Sequence, residues 1–143
     1  MHRLISALTV AAATLTLGSC AASMQSADAE ELNPEQLALL DRNLGGKEAG
    51  DPVSCLPAGG QNLQTIRVSD SILLYRQSGR LVYRNDLRGS CPGLARDNDV
   101  MVFRTHGSSS CRGDIFTLVD RASGINSGAC VLGSFTPYRA PRD

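Results

Sequence analysis

Residues 71–86 read SILLYRQSGRLVYRND. Two runs rich in Leu, Ile, Val and Tyr flank Ser78-Gly79, a pattern typical of a β-hairpin. If Ser78-Gly79 is a two-residue turn, residues whose numbers sum to 157 lie opposite each other. One face then carries apolar residues from both strands, namely Ile72, Leu74, Leu81 and Tyr83. A three-residue turn would shift this register and regroup the side chains. Both faces carry apolar residues, so we expect the hairpin to be covered on both sides.

Short runs of similar composition recur along the chain after Pro52, with Gly, Ser, Asn and Asp between them. We expect strands at 63–68, 71–76, 81–87, 100–105, 115–120 and 130–135. Short, evenly spaced strands separated by turn residues predict a mainly β fold. The expected architecture is a small antiparallel β barrel or sandwich of about six strands, with one short N-terminal helix.

That helix is predicted from residues 33–36, which read NPEQ. Asn33 can cap the helix, Pro34 suits its first position, and Gln36 completes a capping box. Leucines recur at helical spacing at positions 37, 40 and 44, and Gly45-Gly46 provides a stop. A helix this short is not stable by itself in water. We therefore expect its leucines to pack against the β domain or against a partner protein.

The first 19 residues are typical of a secretory signal peptide, since Leu4 to Leu17 carries no charge. An uncharged run of this length is too short to span a membrane as a helix. The next residues, Leu17-Gly18-Ser19-Cys20, resemble the lipobox of bacterial lipoproteins. That resemblance implies cleavage before Cys20 and acylation of its thiol. The alternative is ordinary signal cleavage after Ala21.

The expected organisation follows from these boundaries. A signal peptide (1–19) precedes an acidic flexible tether (20–32), a short helix and linker (33–52), and a β domain (53–143). Both cleavage alternatives leave four cysteines in the mature domain: Cys55, Cys91, Cys111 and Cys130. Four cysteines in a short exported chain indicate two disulfides, which would compensate for a modest apolar core. Spacing alone leaves all three connectivities open.

The charges divide between the two parts of the mature chain. Residues 20–52 hold seven acids against Arg42 and Lys47, whereas residues 53–143 hold eleven arginines and seven aspartates. Five of the arginines cluster in sequence around the hairpin: Arg67, Arg76, Arg80, Arg84 and Arg88. They form a possible anion patch for lipid headgroups or cell-wall carboxylates, although solvated strand faces explain them more simply.

Candidate catalytic and metal-binding residues are few. His106 lies beside Ser108-Ser109-Ser110, but sequence proximity does not supply the geometry of a catalytic triad. Asp97-Asn98-Asp99 lacks the glycine and late glutamate of an EF-hand loop and suggests a turn. Arg112-Gly113-Asp114 is also interpreted as a turn. We therefore expect no catalytic residue, no metal site and no cofactor.

Four segments carry a resemblance to a known family. They are residues 49–56 (AGDPVSCL), 72–85 (ILLYRQSGRLVYRN), 109–121 (SSCRGDIFTLVDR) and 130–138 (CVLGSFTPY). Together they resemble a family of small exported proteobacterial proteins known as a domain of unknown function. The resemblance covers about two thirds of the chain. It implies a periplasm-facing β domain and the disulfides Cys55–Cys111 and Cys91–Cys130. It implies no substrate, cofactor or catalytic residue.

The leading functional hypothesis is a cell-envelope lipoprotein, held to the membrane by its lipid anchor, that acts as a non-catalytic binding or accessory module. We expect a periplasm-facing location with the outer membrane slightly favoured, or alternatively a soluble periplasmic or secreted protein. Nucleic acid is not an expected partner, and the sequence does not identify a protein partner. The alternative functions are an inhibitor of a cell-wall hydrolase and a small periplasmic hydrolase centred on His106.

Overall fold

A computed structural model describes residues 31–57, 63–96, 98–104 and 107–142. The signal peptide, Cys20, Asp97 and His106 lie outside these residues. The described chain is mainly β with one helix. Its elements are α1 (Pro34–Leu44), β1 (Glu48–Ala49), β2 (Gln64–Arg67), β3 (Ile72–Ser78), β4 (Leu81–Asp86), β5 (Asp99–Arg104), β6 (Ile115–Asp120), β7 (Asn126–Val131) and β8 (Phe135–Arg139).

The eight strands form two antiparallel sheets that are not closed into a barrel. One has five strands in the order β1-β8-β4-β3-β2, and the other has three in the order β5-β6-β7. Of the two predicted architectures, barrel and sandwich, the structure is sandwich-like, and it has eight strands instead of about six. One additional strand, β1, lies in the region predicted as a linker and pairs with β8.

The β3–β4 hairpin adopts the shifted register, and the pairing that sums to 157 is wrong. Tyr75 lies opposite Tyr83 and Leu74 opposite Arg84, so paired numbers sum to 158. The ladder becomes irregular between Arg76 and Ser78, which then pairs with Leu81. A bulge of this kind shifts the register of the strands beyond it.

The predicted strand at 130–135 is also wrong, because the run is divided between two sheets. Cys130 belongs to the end of β7, and Phe135 begins β8. Between them, the amide of Gly133 donates to Oδ1 of Asn85 (3.0 Å), while Nδ2 of Asn85 donates to the Gly133 carbonyl (2.8 Å). A side chain at Gly133 would overlap the carbonyl oxygen of Asp86. Glycine therefore lets the chain cross closely over β4 as it changes sheets.

Two apolar cores lie on the two faces of the five-stranded sheet. The larger core fills the space between the sheets and comprises Leu56, Leu73, Tyr75, Tyr83, Cys91, Leu94, Phe116, Leu118, Cys130, Leu132 and Phe135. The smaller core lies under the helix and comprises Val68, Ile72, Leu74 and Val82. The expectation that both faces of the hairpin are covered is confirmed.

The helix begins and ends as predicted. Asn33 and Gln36 form both hydrogen bonds of a capping box, each 2.9 Å long. Leu40 and Leu44 pack against the smaller core, together with Leu39. Leu37 was predicted to join them but is 53% exposed. Because one helical turn is 3.6 residues, the docked face includes Leu39 and leaves Leu37 outside.

Candidate functional site

A groove lies between the end of α1 and the β3–β4 hairpin. It has a volume of about 300 Å³. Its lining residues come from the helix, the loop after it and the hairpin: Arg42, Asn43, Lys47, Arg76, Ser78, Gly79 and Val82. Three of these side chains are cationic and none is a carboxylate. We refer to it as the cationic groove.

Asn43 holds two of the three cations in place. Its side chain is almost fully buried, and its Nδ2 donates to the carbonyl of Leu39 (2.8 Å). Its Oδ1 accepts a hydrogen bond from Nη2 of Arg76, and its backbone carbonyl accepts one from Nζ of Lys47 (2.8 Å). One buried residue therefore uses both of its oxygens to orient two cations that line the same groove.

The end of the helix explains why Lys47 lies there. The Gly45 amide donates to the carbonyl of Asp41 (2.7 Å), and a side chain at Gly45 would collide with that carbonyl. Gly46 has a φ of 69°, a left-handed conformation that favours glycine. The chain thus turns back over the helix end, where Lys47 caps a free carbonyl and interacts favourably with the helix dipole.

Arg76 is held from its other side by β2. Its Nη1 donates to Oε1 of Gln64 (3.2 Å), which lies directly opposite it in the β2–β3 pairing. Among the described residues, no carboxylate lies within 4.0 Å of the charged nitrogens of Arg42, Lys47 or Arg76. The groove therefore has a positive charge that the fold does not neutralise with a salt bridge, and its chemistry suits a small anion such as a phosphate or a carboxylate.

The five arginines of the possible anion patch differ in their hydrogen-bond partners and in the sheet face that they occupy. Arg76 lines the cationic groove. Arg67 points to the opposite face of the sheet and donates to the carbonyls of Arg96 (2.8 Å) and Asp99 (2.7 Å). It therefore ties β2 to the segment that begins β5.

The other three arginines have separate surroundings. Arg84 forms a salt bridge with Asp86 (2.7 Å), and Arg80 donates to the carbonyl of Pro141 (2.7 Å). Burial lowers the pKa of Arg84, but its hydrogen bond and charge interaction with Asp86 outweigh this and raise it above its ordinary value. Arg88 is exposed. The two cations that complete the groove, Arg42 and Lys47, were not predicted.

The four cysteines form the two disulfides that the family resemblance implies, Cys55–Cys111 and Cys91–Cys130. Cys91 and Cys130 are buried in the larger core, whereas Cys55 is exposed. All four sulfurs are consumed in these bonds, so none is present as a nucleophilic thiolate.

Other motifs from the sequence have structural roles. Arg112-Gly113-Asp114 is a turn, as predicted, and Oδ2 of Asp114 accepts a hydrogen bond from the Cys111 amide (2.7 Å). Among residues 31–57, 63–96, 98–104 and 107–142, no cluster of three or more His, Cys, Asp or Glu side chains is placed to hold a metal. Within the same ranges, no helix has the length and apolar character needed to cross a membrane.

The larger core contains one unsatisfied polar group. The hydroxyl of Tyr75 is buried and has no hydrogen-bond partner among the described residues, and its ring packs edge-on against Phe135 at 5.6 Å. Burial raises the pKa of Tyr75 well above its usual value. The phenol therefore stays neutral, which suits a packing role rather than proton transfer.

Comparison with known proteins does not assign a family or a function to this chain. No family model, no curated protein and no solved structure matches the chain.

Proposed function

We propose that this chain is an exported, lipid-anchored protein of the bacterial cell envelope whose β domain binds an anionic envelope component without catalysis. The observation that carries the proposal is the cationic groove. Arg42, Lys47 and Arg76 come from the helix, the loop after it and the hairpin and line one cavity, and Asn43 fixes two of them. Preorganised cations bind an anion more tightly than mobile ones, because less side-chain entropy is lost on binding.

The proposed location draws on separate observations. Two disulfides are compatible with an oxidising compartment outside the cytoplasm. The apolar run before Cys20, and the small residues next to it, favour lipidation at that cysteine. Ala21 follows Cys20 where inner-membrane lipoproteins of enterobacteria carry aspartate, which slightly favours the outer membrane.

Helix capping could also explain positive charge in the groove, so the proposal needs observations that capping does not account for. Lys47 caps the helix, and a cation near a helix C-terminus is stabilising without any ligand. That explanation accounts for Lys47 but not for Arg76, which reaches the groove from a β-strand. It also does not account for the lack of a carboxylate among the lining residues.

The binding test uses the mature protein labelled with ¹⁵N and titrated with inorganic phosphate or with acetate. Phosphate represents lipid headgroups, and acetate represents cell-wall carboxylates. We expect chemical-shift changes centred on Lys47, Arg76 and Gly79. Lys47→Gln should weaken binding by roughly ten- to a hundredfold, since a charge-assisted hydrogen bond contributes about 1.5–3 kcal/mol. The matched control is Arg112→Gln, which removes an exposed charge from the turn before β6, a segment that lines no part of the groove.

Two results would contradict the binding proposal: shift changes spread over all arginines, or equal affinity in Lys47→Gln and Arg112→Gln. The location is tested separately by labelling cells with a palmitate analogue. Wild-type protein should incorporate the label and fractionate with membranes, while Cys20→Ala should do neither. Equal labelling of the two proteins would overturn the anchor and leave the groove to be judged by the titration.

A further inference from the structure

Two aspartates face each other at the open end of the three-stranded sheet. Asp99 begins β5 and Asp120 ends β6, and the antiparallel register places them directly opposite each other. Side chains alternate along a strand, so both lie on the face that carries Met101 and Leu118, which points into the sandwich. Directly opposite residues have Cβ atoms about 4.5–5.5 Å apart, and like charges at that distance are destabilising.

Asp99 is the more deeply placed of the pair. It is 9% exposed, and its carboxylate makes no hydrogen bond or ion pair with any described residue. Only its backbone carbonyl has a partner, since it accepts a hydrogen bond from Nη2 of Arg67 (2.7 Å). A carboxylate placed this deeply loses part of its hydration, which favours a compensating positive charge beside it.

Asp120 is oriented by the turn that follows it. Its Oδ1 accepts hydrogen bonds from the amides of Ala122 (3.0 Å) and Ser123 (2.7 Å) and from the Ser123 hydroxyl (2.8 Å). These bonds, led by the one from the Ser123 amide, lower the pKa of Asp120 and favour its ionised form. They all use Oδ1, so the second carboxylate oxygen is free for another ligand.

Asp99 and Asp120 both line a cavity of about 390 Å³. Asn98 and Ser127 also line it and add neutral oxygen donors. Arg96 is the one cation among the lining residues, and it forms no ion pair within 4.0 Å of either aspartate. The cavity thus combines two unneutralised carboxylates with further oxygens, which is the donor set of a hard dication.

We propose that Asp99 and Asp120, with Asn98 and Ser127, bind a calcium ion at this end of the sandwich. Calcium takes six to eight oxygen ligands in flexible geometry, so water would complete the shell. A site with only two carboxylates is weak, and we expect a Kd of about 10⁻⁴–10⁻³ M, the range of extracellular calcium modules. Magnesium requires near-ideal octahedral geometry and gives up its waters reluctantly, so it should bind less well.

The sequence alone predicted no metal site, because the two aspartates meet only through the pairing of β5 with β6. Asp97-Asn98-Asp99 is not a calcium loop in linear sequence, and Asp120 lies 21 positions beyond Asp99. Only the β5–β6 pairing brings the two carboxylates together. The site is separate from the cationic groove, and either can fail without the other.

The test combines calorimetric titration of the mature protein with thermal unfolding in EDTA, CaCl₂ or MgCl₂ at matched ionic strength. We expect calcium to raise Tm and to bind in the stated range. Asp99→Asn should abolish this response and should itself raise Tm in EDTA, because it removes the repulsion between the carboxylates. Arg96→Gln should tighten calcium binding several-fold, because it removes a competing positive charge. Asp51→Asn, at an exposed position, should change none of these values.

Three outcomes would overturn the proposal. The first is a wild-type protein whose Tm and heat of titration do not respond to calcium up to about 10 mM, well above the expected Kd. The second is an equal response to calcium and magnesium. The third is a lower Tm in EDTA for both Asp99→Asn and Arg96→Gln, which would assign Arg96 as the internal counterion.

Discussion

The outer face of the five-stranded sheet is covered by a helix, whereas the outer face of the three-stranded sheet carries exposed valines. Leu39, Leu40 and Leu44 of α1 pack against the first sheet. On the second sheet, Val100 and Val102 point outward and belong to neither core. Strand patterns reflect this difference: four consecutive residues of β3 are buried, while burial alternates along β5. A strand covered on both faces is continuously apolar, and a strand covered on one face alternates.

The disulfide that is buried in the core between the two sheets offers the largest expected effect on stability. The Cys91–Cys130 disulfide joins the segment between β4 and β5 to β7, across a sequence separation of 39. Replacing both cysteines with alanine should lower the free energy of unfolding by about 4 kcal/mol in the chain-entropy account, with a further loss from the vacated core. Urea unfolding followed by circular dichroism measures the change.

The control for that variant is the pair Cys55→Ala and Cys111→Ala. Its loop is longer, with a separation of 56, so chain entropy alone predicts a slightly larger loss. Cys55 is exposed, however, and its removal leaves no comparable cavity. We expect the Cys91/Cys130 variant to be the less stable of the two. The reverse order would mean that loop length, not burial between the sheets, decides the stability.

Two leucines of the helix that covers the first sheet offer a matched comparison, with an expected loss of stability smaller than that of the disulfide variants. Leu40→Ala removes a side chain packed on the smaller core and should cost about 1–3 kcal/mol, less than the full burial of a leucine. Leu37→Ala makes the same chemical change in the same helix at an exposed position. Its effect should stay within about 0.5 kcal/mol. Equal losses in urea unfolding would mean that the helix is not docked by the face described.

Features of the fold that depend on residues close in sequence could be predicted, whereas features that depend on distant residues could not. The helix start was predictable because the Asn33–Gln36 capping box lies within four residues. The hairpin register was not, because it depends on the irregularity near Gln77 and on pairing with β2 and β8 on both sides. Most of β7 was missed for a similar reason. It reads NSGACV, with few apolar residues, and its conformation comes from pairing with β6.

The candidate site was predicted only in part. Arg76 was among the arginines noted around the hairpin, but Arg42 and Lys47 were counted as minor charges in an acidic segment. Their contribution depends on α1 folding back along the five-stranded sheet. Asn43 carries no sequence signal for its role, since an asparagine within a helix does not indicate that it will be buried beside a strand arginine. Tertiary packing, which composition does not encode, creates the groove.

The last comparison tests the two outer faces directly, through the same isosteric change at one position on each. Val82 lies under the helix and is 1% exposed, whereas Val102 on the three-stranded sheet is 43% exposed. Val82→Thr buries a hydroxyl in an apolar cluster and should cost about 1–3 kcal/mol. Val102→Thr leaves the hydroxyl in water and, since threonine is also β-branched, should change the free energy of unfolding by less than about 0.5 kcal/mol. Urea unfolding at dilute concentration measures both, so that association between molecules does not contribute. If Val102→Thr proved as costly as Val82→Thr, the outer face of the three-stranded sheet would have to be covered in solution, and the contrast between the sheets would not hold.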